Sequence, residues 1–197
     1  MKHILLAVLF VALAAAPVFA DETNMVYNPG FQMALNGWSV WGSAWLAPEG
    51  QDSTNAAYSW IGSGGWQDIA ITDPLKTLKI SGWLADMSET LYLDPLDTTA
   101  YVAFRLEFKD ASGTILNKWE SDKLYGNGSG LSWTQLSGYA TPGADVVKAT
   151  LVWETQGSGH GTGRFDNFSV TAVPEPVSTA LFLLGGATLV ARRLRRK

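Results

Sequence analysis

Hydrophobic and polar residues alternate in short stretches along the middle of the chain. In residues 101–109 the apolar side chains fall on every second position: Val102, Phe104, Leu106 and Phe108. A period of two is typical of a β-strand with one buried and one solvated face. Turn-forming residues separate nine such candidate strands: 38–46, 55–61, 66–71, 76–85, 101–109, 114–119, 132–140, 146–155 and 163–172.

The pattern predicts the fold class and the domain bounds. No stretch inside residues 21–172 keeps a helical period over a useful length, and the segment has the common size of one domain. About nine short strands predict an all-β domain, a jelly-roll β-sandwich. Two apolar helices should flank it, one in residues 1–20 and one in residues 173–197.

Residues 1–20 have the three parts of a secretory signal peptide. Lys2 is followed by an apolar run over residues 4–16 and then by small residues before the expected cut. Signal peptidase should cleave between Ala20 and Asp21. An uncleaved membrane anchor is the alternative, but the apolar run is short for one.

The other end has the composition of a membrane stop. Residues 177–191 carry no charge, and five basic residues lie among the last six. This apolar stretch is slightly short for a membrane-spanning helix. The long side chains of the flanking Arg192 and Arg193 can reach the membrane interface, which lengthens the effective span. Because basic residues stay on the cytoplasmic side, the domain should lie outside, anchored by a C-terminal transmembrane helix.

Pro174, Glu175 and Pro176 precede this helix, and the order of motif, helix and arginine cluster resembles the PEP-CTERM sorting signal of Gram-negative bacteria. The resemblance implies that an exosortase, a membrane protease, cleaves at this motif. It also implies transient anchoring in the inner membrane, then release to the cell surface or to an exopolysaccharide matrix. A plain C-terminal anchor is the alternative.

The charge balance and the absence of cysteine exclude some partners and some kinds of site. Residues 21–172 hold eight Lys and Arg against 17 Asp and Glu, a net charge of −9, and the chain has no cysteine. A nucleic-acid partner requires clustered basic residues, which this segment does not show. Thiolate metal sites and disulfides are also excluded.

A second resemblance covers residues 24–172. The opening Asn28-Pro29-Gly30-Phe31, the hairpin segment 104–115 and the closing segment 165–170 are similar to galactose-binding-like jelly-roll domains, which include carbohydrate-binding modules. In that family an aspartate of the last strand often holds a structural calcium ion with the opening turn. Asp166 matches this aspartate, but Gln32 stands where a glutamate is usual, which weakens a site for a hard cation. Backbone N–H groups or Arg164 are the alternative partners of Asp166.

Aromatic residues give the main sign of a ligand. All nine tryptophans lie in the central segment, and an aromatic face with nearby polar groups suits a sugar ring. Trp38 and Trp153 should fill the core. The candidate binding residues are Trp41, Trp45, Trp60, Trp66, Trp83, Tyr92, Arg105, Glu107 and Tyr125.

A specific platform follows if strands 76–85 and 101–109 are neighbours in one sheet. Trp83 then lies opposite in parity to Ile80 and Leu84, and Arg105 and Glu107 share the outer face with it. A core position for Trp83 is the alternative.

Three functions remain open: a glycan-binding module, a structural matrix protein without a small ligand, and a glycan-active enzyme. The sequence contains no G-x-S-x-G, H-E-x-x-H or P-loop motif. We therefore expect no catalytic site, and non-catalytic binding of extracellular carbohydrate is the favoured function.

Overall fold

The computed structural model describes residues 23–52, 55–86, 96–127 and 132–173. Thr23–Ala172 form one compact unit. The predicted signal peptide, the sorting motif with its helix, and Tyr92 lie outside the described residues. Within the described ranges, no helix is long and apolar enough to cross a membrane.

The described part of the chain is built from strands. In chain order they are β1 Ser39–Trp41, β2 Ala44–Pro48, β3 Asn55–Trp60, β4 Ser63–Ala70, β5 Leu78–Asp86, β6 Ala100–Lys109, β7 Ile115–Glu120, β8 Leu124–Tyr125, β9 Thr134–Ala140, β10 Lys148–Gly157 and β11 Thr162–Ala172.

These strands form two antiparallel sheets. The first sheet has the order β1-β4-β10-β6-β7, with β8 paired to β6, and the second has the order β2-β3-β11-β5-β9. The predicted all-β sandwich is confirmed.

The predicted stretch 38–46 contains two strands rather than one. The chain passes from the first sheet to the second at Gly42, whose φ of 65° is in the left-handed region that favours glycine. The next residue, Ser43, donates its backbone N–H to Ser63 Oγ at 2.9 Å. Trp41 and Trp45 therefore share strand parity but belong to different sheets.

The core lies between the two sheets. Val102, Phe104, Leu106 and Phe108 on β6 are at most 1% exposed. The alternation of β6 is confirmed by these side chains, because every second residue points inward. Trp38 and Trp153 are also buried, as predicted.

The opening segment closes one part of this core. Asn28 donates its side-chain amide to the carbonyls of Ala34 and Asn36, and its Oδ1 accepts from the Met33 backbone. Phe31 is fully buried, with its ring centroid 5.3 Å from that of Trp38. The Asn-Pro-Gly-Phe motif thus folds a loop that inserts an aromatic ring into the sandwich.

A bulge in β11 changes the direction of Asp166. The register against β5 shifts between Asp166 and Ser169, and Asn167 has a φ of 47°. Phe165 and Phe168 both lie in the core, so parity does not carry through the bulge. Asp166 pairs with Trp83 on the outer side of the second sheet, and the prediction that its carboxylate shares the core side of Phe168 is wrong.

Candidate functional site

A trough of about 300 Å³ lies on the outer face of the first sheet. Its floor is the middle strand β10, where Val152 and Thr150 are small and nearly buried. Its lining residues come from β1, β4, β10 and β6: Trp41, Trp66, Asp68, Arg105, Glu107, Lys109, Lys148, Thr150 and Val152.

Strand register explains why these side chains meet. Val152 is paired with Trp66 on one side and with Arg105 on the other. Directly paired residues of antiparallel strands point to the same face. The small floor residue thus has one large side chain on each flank, and this difference in size makes the trough.

Two tryptophans form the aromatic side of the trough. Trp66 is 39% exposed, and Trp41 comes from the neighbouring edge strand. Trp41 packs over Gly64, where an added Cβ would lie 2.7 Å from the tryptophan ring. Glycine at this position lets the ring lie close to the sheet.

Ion pairs fix the opposite side. Arg105 donates from Nε to Glu107 Oε1 at 2.7 Å and from Nη1 to Glu154 at 2.8 Å, and Lys109 Nζ lies 3.0 Å from Glu107. Burial alone raises the pKa of Glu107, but the hydrogen bonds from Arg105 and Lys109 outweigh it, and the pKa is lowered. Glu107 is therefore a stable carboxylate acceptor.

A second charged group lies nearer to Trp66. Asp68 accepts from Thr150 Oγ1 at 2.7 Å and from Lys148 Nζ at 2.9 Å. These bonds lower the pKa of Asp68 despite the opposing effect of burial. The trough thus presents an apolar aromatic surface beside fixed donors and acceptors, the combination that a sugar ring requires.

A smaller pocket of about 160 Å³ lies on the same face and also contacts Arg105. Its remaining lining residues are Tyr101, Ala103, Phe104, Glu120, Ser121, Lys123 and Glu154. The Lys123 ammonium lies 4.3 Å from the centroid of the Tyr101 ring. The ring of Tyr125, an exposed residue, is 5.4 Å away from that of Tyr101.

The trough brings together four of the predicted binding residues: Trp41, Trp66, Arg105 and Glu107. Trp83 is not among them. Ile80 and Leu84 are buried as predicted and Trp83 is half-buried on the outer side, but β5 belongs to the second sheet and β6 to the first. The platform of Trp83 with Arg105 and Glu107 is therefore wrong, because the two strands belong to different sheets.

Trp45 and Trp60 also lie on the second sheet. Trp45 stacks on the buried Tyr58 at 6.0 Å and lies 6.2 Å from Trp60. With Trp133, Trp45 covers the Tyr58 ring and forms a small cluster separate from the main core. Whether either tryptophan contacts a ligand stays a prediction.

Asp166 has hydrogen-bond partners on both carboxylate oxygens. Oδ2 accepts from the Gln51 backbone at 2.7 Å and Oδ1 from the Asn167 backbone at 2.8 Å. These two backbone N–H groups are the alternative partners expected from the sequence, and each uses one lone pair of the oxygen that it reaches. Gln32 is exposed, with its amide beside Gly30, and calcium at Gln32 and Asp166 stays a prediction. In the described ranges, no group of three or more acidic or histidine side chains is arranged to hold a metal ion.

Sequence reasoning missed Asp68, Lys109, Lys148 and Thr150. Each is an ordinary polar residue at an outward strand position. Only the pairing of β4, β10 and β6 brings them together. The available signal was outward parity, which Asp68 shares with Trp66 on β4 and Lys109 shares with Glu107 on β6. Strand β10 carries no predicted binding residue, so the sequence held no such signal for Lys148 and Thr150.

Comparison with known proteins supports the fold. No family model and no curated protein matches the chain. Among solved structures, TmCBM61 in complex with β-1,4-galactotriose is 14% identical with a TM-score of 0.54, and the match covers 77% of this chain and 99% of that one. The CBM22-1 xylan-binding domain of Xyn10C from Paenibacillus barcinonensis is 13% identical with a TM-score of 0.54, over 79% and 97% of the two chains.

A third similar structure is the enzymatically active domain of tailspike protein 4 from bacteriophage CBA120, at 13% identity and a TM-score of 0.56. The match covers 76% of this chain but only 21% of the tailspike chain. At these identities the comparisons establish a common fold, a jelly-roll β-sandwich.

Proposed function

We propose that the domain is a non-catalytic carbohydrate-binding module and that the trough on the first sheet holds the sugar. The observation that carries this proposal is the exposed Trp66 facing Arg105 across the small floor residue Val152. A sugar ring stacked on Trp66 has hydroxyl partners in Asp68, Glu107 and the cations bound to them. Similar structures that bind β-1,4-galactotriose or xylan support this assignment.

The electrostatics of the trough favour binding over catalysis. Glycoside hydrolysis needs a carboxylic acid whose pKa is raised so that it can give up a proton. Glu107 and Asp68 both have a lowered pKa. They serve as acceptors for sugar hydroxyls and not as proton donors.

Trp66→Ala should weaken glycan binding at least about thirtyfold, the effect of ~2 kcal/mol from a central aromatic anchor. Affinity electrophoresis of the purified chain against xylan, β-1,4-galactan and the source bacterium's own exopolysaccharide identifies the retained polymer. Isothermal titration then measures the affinity.

The matched control is Tyr139→Ala, since Tyr139 is an exposed aromatic residue on the second sheet. It should bind as the wild type does. Wild-type affinity in Trp66→Ala would place the site elsewhere. No retention of any polymer would favour a structural matrix protein, and release of reducing sugar would favour an enzyme.

We also propose that the chain is exported and then sorted by its C-terminal signal. The sequence supports this through the signal peptide in residues 1–20 and through Pro174-Glu175-Pro176 followed by an apolar stretch and arginines. Signal peptidase and an exosortase are the proposed partners, and the inner membrane holds the chain before processing. The destination is the cell surface or the extracellular matrix, where a glycan-binding domain meets its ligand.

Removal of residues 176–197 should convert a membrane-bound protein into a soluble exported one. Cell fractionation followed by mass spectrometry of the mature protein measures this, with a mature C-terminus expected near Glu175. The control replaces only the arginines of the tail, which should disturb processing and leave export intact. If mature cells contain only the uncleaved chain, the sorting proposal is wrong.

A further inference from the structure

We infer that the pocket beside Tyr101 is a second sugar subsite and that Arg105 joins it to the trough. The domain then binds an extended stretch of a polysaccharide chain rather than a single terminal sugar. This inference rests on the proposed function, because it assigns the trough to a sugar.

Strand β6 runs continuously past both pockets. Its outward residues Lys109, Glu107 and Arg105 line the trough, and Arg105, Ala103 and Tyr101 line the second pocket. Five alternate positions of one strand thus line the two pockets in unbroken order. From Lys109 to Tyr101 this strand covers about 27 Å at the usual rise per residue.

Arg105 is held in place at the junction. Glu107 and Glu154 each accept one of its N–H groups, at 2.7 and 2.8 Å. Among the contacts of the described residues, these two bonds occupy two of the five N–H donors of the Arg105 guanidinium. The remaining donors can reach ligand hydroxyls on either side without the cost of ordering a free side chain.

The second pocket repeats the chemistry of the trough. The Lys123 ammonium lies over the aromatic ring of Tyr101, and Glu120 and Ser121 also line this pocket. An aromatic surface flanked by a cation and a carboxylate also describes Trp66 with Lys148 and Asp68. One chain that crosses Arg105 therefore meets the same kind of surface twice.

Isothermal titration of tri- and hexasaccharides from the polymers of the affinity panel tests the inference. The hexasaccharide should bind the wild type about tenfold more tightly than the trisaccharide, a ratio that ~1.4 kcal/mol produces. Tyr101→Ala should abolish this gain and leave trisaccharide affinity unchanged. Lys123→Ala, at an exposed position, should reduce the gain, and Tyr139→Ala should keep it.

Equal affinities of the two oligosaccharides for the wild type would overturn the second subsite, as would a full gain in both Tyr101→Ala and Lys123→Ala. If either outcome occurs but the trisaccharide still binds and Trp66→Ala still weakens that binding, the proposed function stands without the second subsite. If neither oligosaccharide nor any parent polymer binds, the proposed function itself is wrong and the subsite falls with it.

Discussion

Phe31→Ala is expected to lower the free energy of unfolding by about 3–5 kcal/mol, the usual cost of deleting a buried aromatic ring. Phe31 is fully buried, and its ring contacts Trp38, Trp153 and Phe168 at centroid distances of 5.3 to 6.3 Å. Its loss leaves a cavity among three large side chains. Urea denaturation followed by tryptophan fluorescence measures the effect.

Met33→Ala in the same loop is the matched control. Met33 is 47% exposed, so its truncation should change stability by no more than about 0.5 kcal/mol. Phe31 has a φ of 56°, a conformation that is strained for phenylalanine and alanine alike, so the backbone adds little to the difference. A loss below about 1 kcal/mol in Phe31→Ala would show that the opening loop does not anchor the sandwich.

The strands themselves follow from local pattern. Alternation in β6 predicts both its extent and its buried side chains, because a period of two belongs to the strand and needs no knowledge of its neighbours. Trp153 is a core residue for the same reason, since it alternates with the buried Leu151 in β10. Trp38 lies just before β1 and is buried through its contacts with Asn28 and Phe31 of the opening loop. The two-residue strand β8 is too short to leave a periodic signal.

Assignment of strands to sheets is not local. Trp83 and Arg105 both point outward from strong strands, yet their strands belong to different sheets, and nothing in either strand specifies its partner. Trp41 and Trp45 diverge because the chain crosses between sheets at Gly42. The sequence therefore predicts single outward-facing aromatic and charged residues. Their grouping into a trough depends on the pairing of strands that are far apart in the sequence.

Asp166 shows a different limit. A single extra residue in β11 moves it to the other side of the sheet, and the signal is the left-handed conformation of Asn167. Asparagine adopts that conformation more readily than most residues, so the identity of the residue agrees with the bulge without predicting it. The bulge places the Asp166 carboxylate beneath the turn at Gly50–Gln51.

Stability should fall as the pH rises from about 4 to about 7, because of Asp166. Burial raises the pKa of this carboxyl from 3.8 to about 7, against the opposing effect of hydrogen bonds from the Gln51 and Asn167 backbones. Between these values the folded state keeps a proton that the unfolded state has released, so raising the pH favours unfolding. The full loss is on the order of 4 kcal/mol.

Urea denaturation of wild type and Asp166→Asn at pH 4, 5.5 and 7.5 measures this loss. The asparagine variant should be less stable at pH 4, since its amide nitrogen faces a backbone N–H, and should lack the decline toward pH 7.5. Asp145→Asn, at an exposed position, is the control for loss of a carboxylate. A wild-type stability that rises over this range would contradict the buried, protonated state.

Calcium would reverse the sign of this pH dependence. A divalent cation binds the ionised carboxylate, so calcium at Asp166 would lower its pKa and make the folded state most stable at neutral pH. A chelator would then lower the melting temperature at pH 7.5 and have no effect at pH 4. Among the residues that the structure describes, no group of three or more acidic or histidine side chains is arranged to complete a cation site, so we expect the same melting temperature with and without chelator. A decrease confined to neutral pH and absent in Asp166→Asn would instead establish the calcium site.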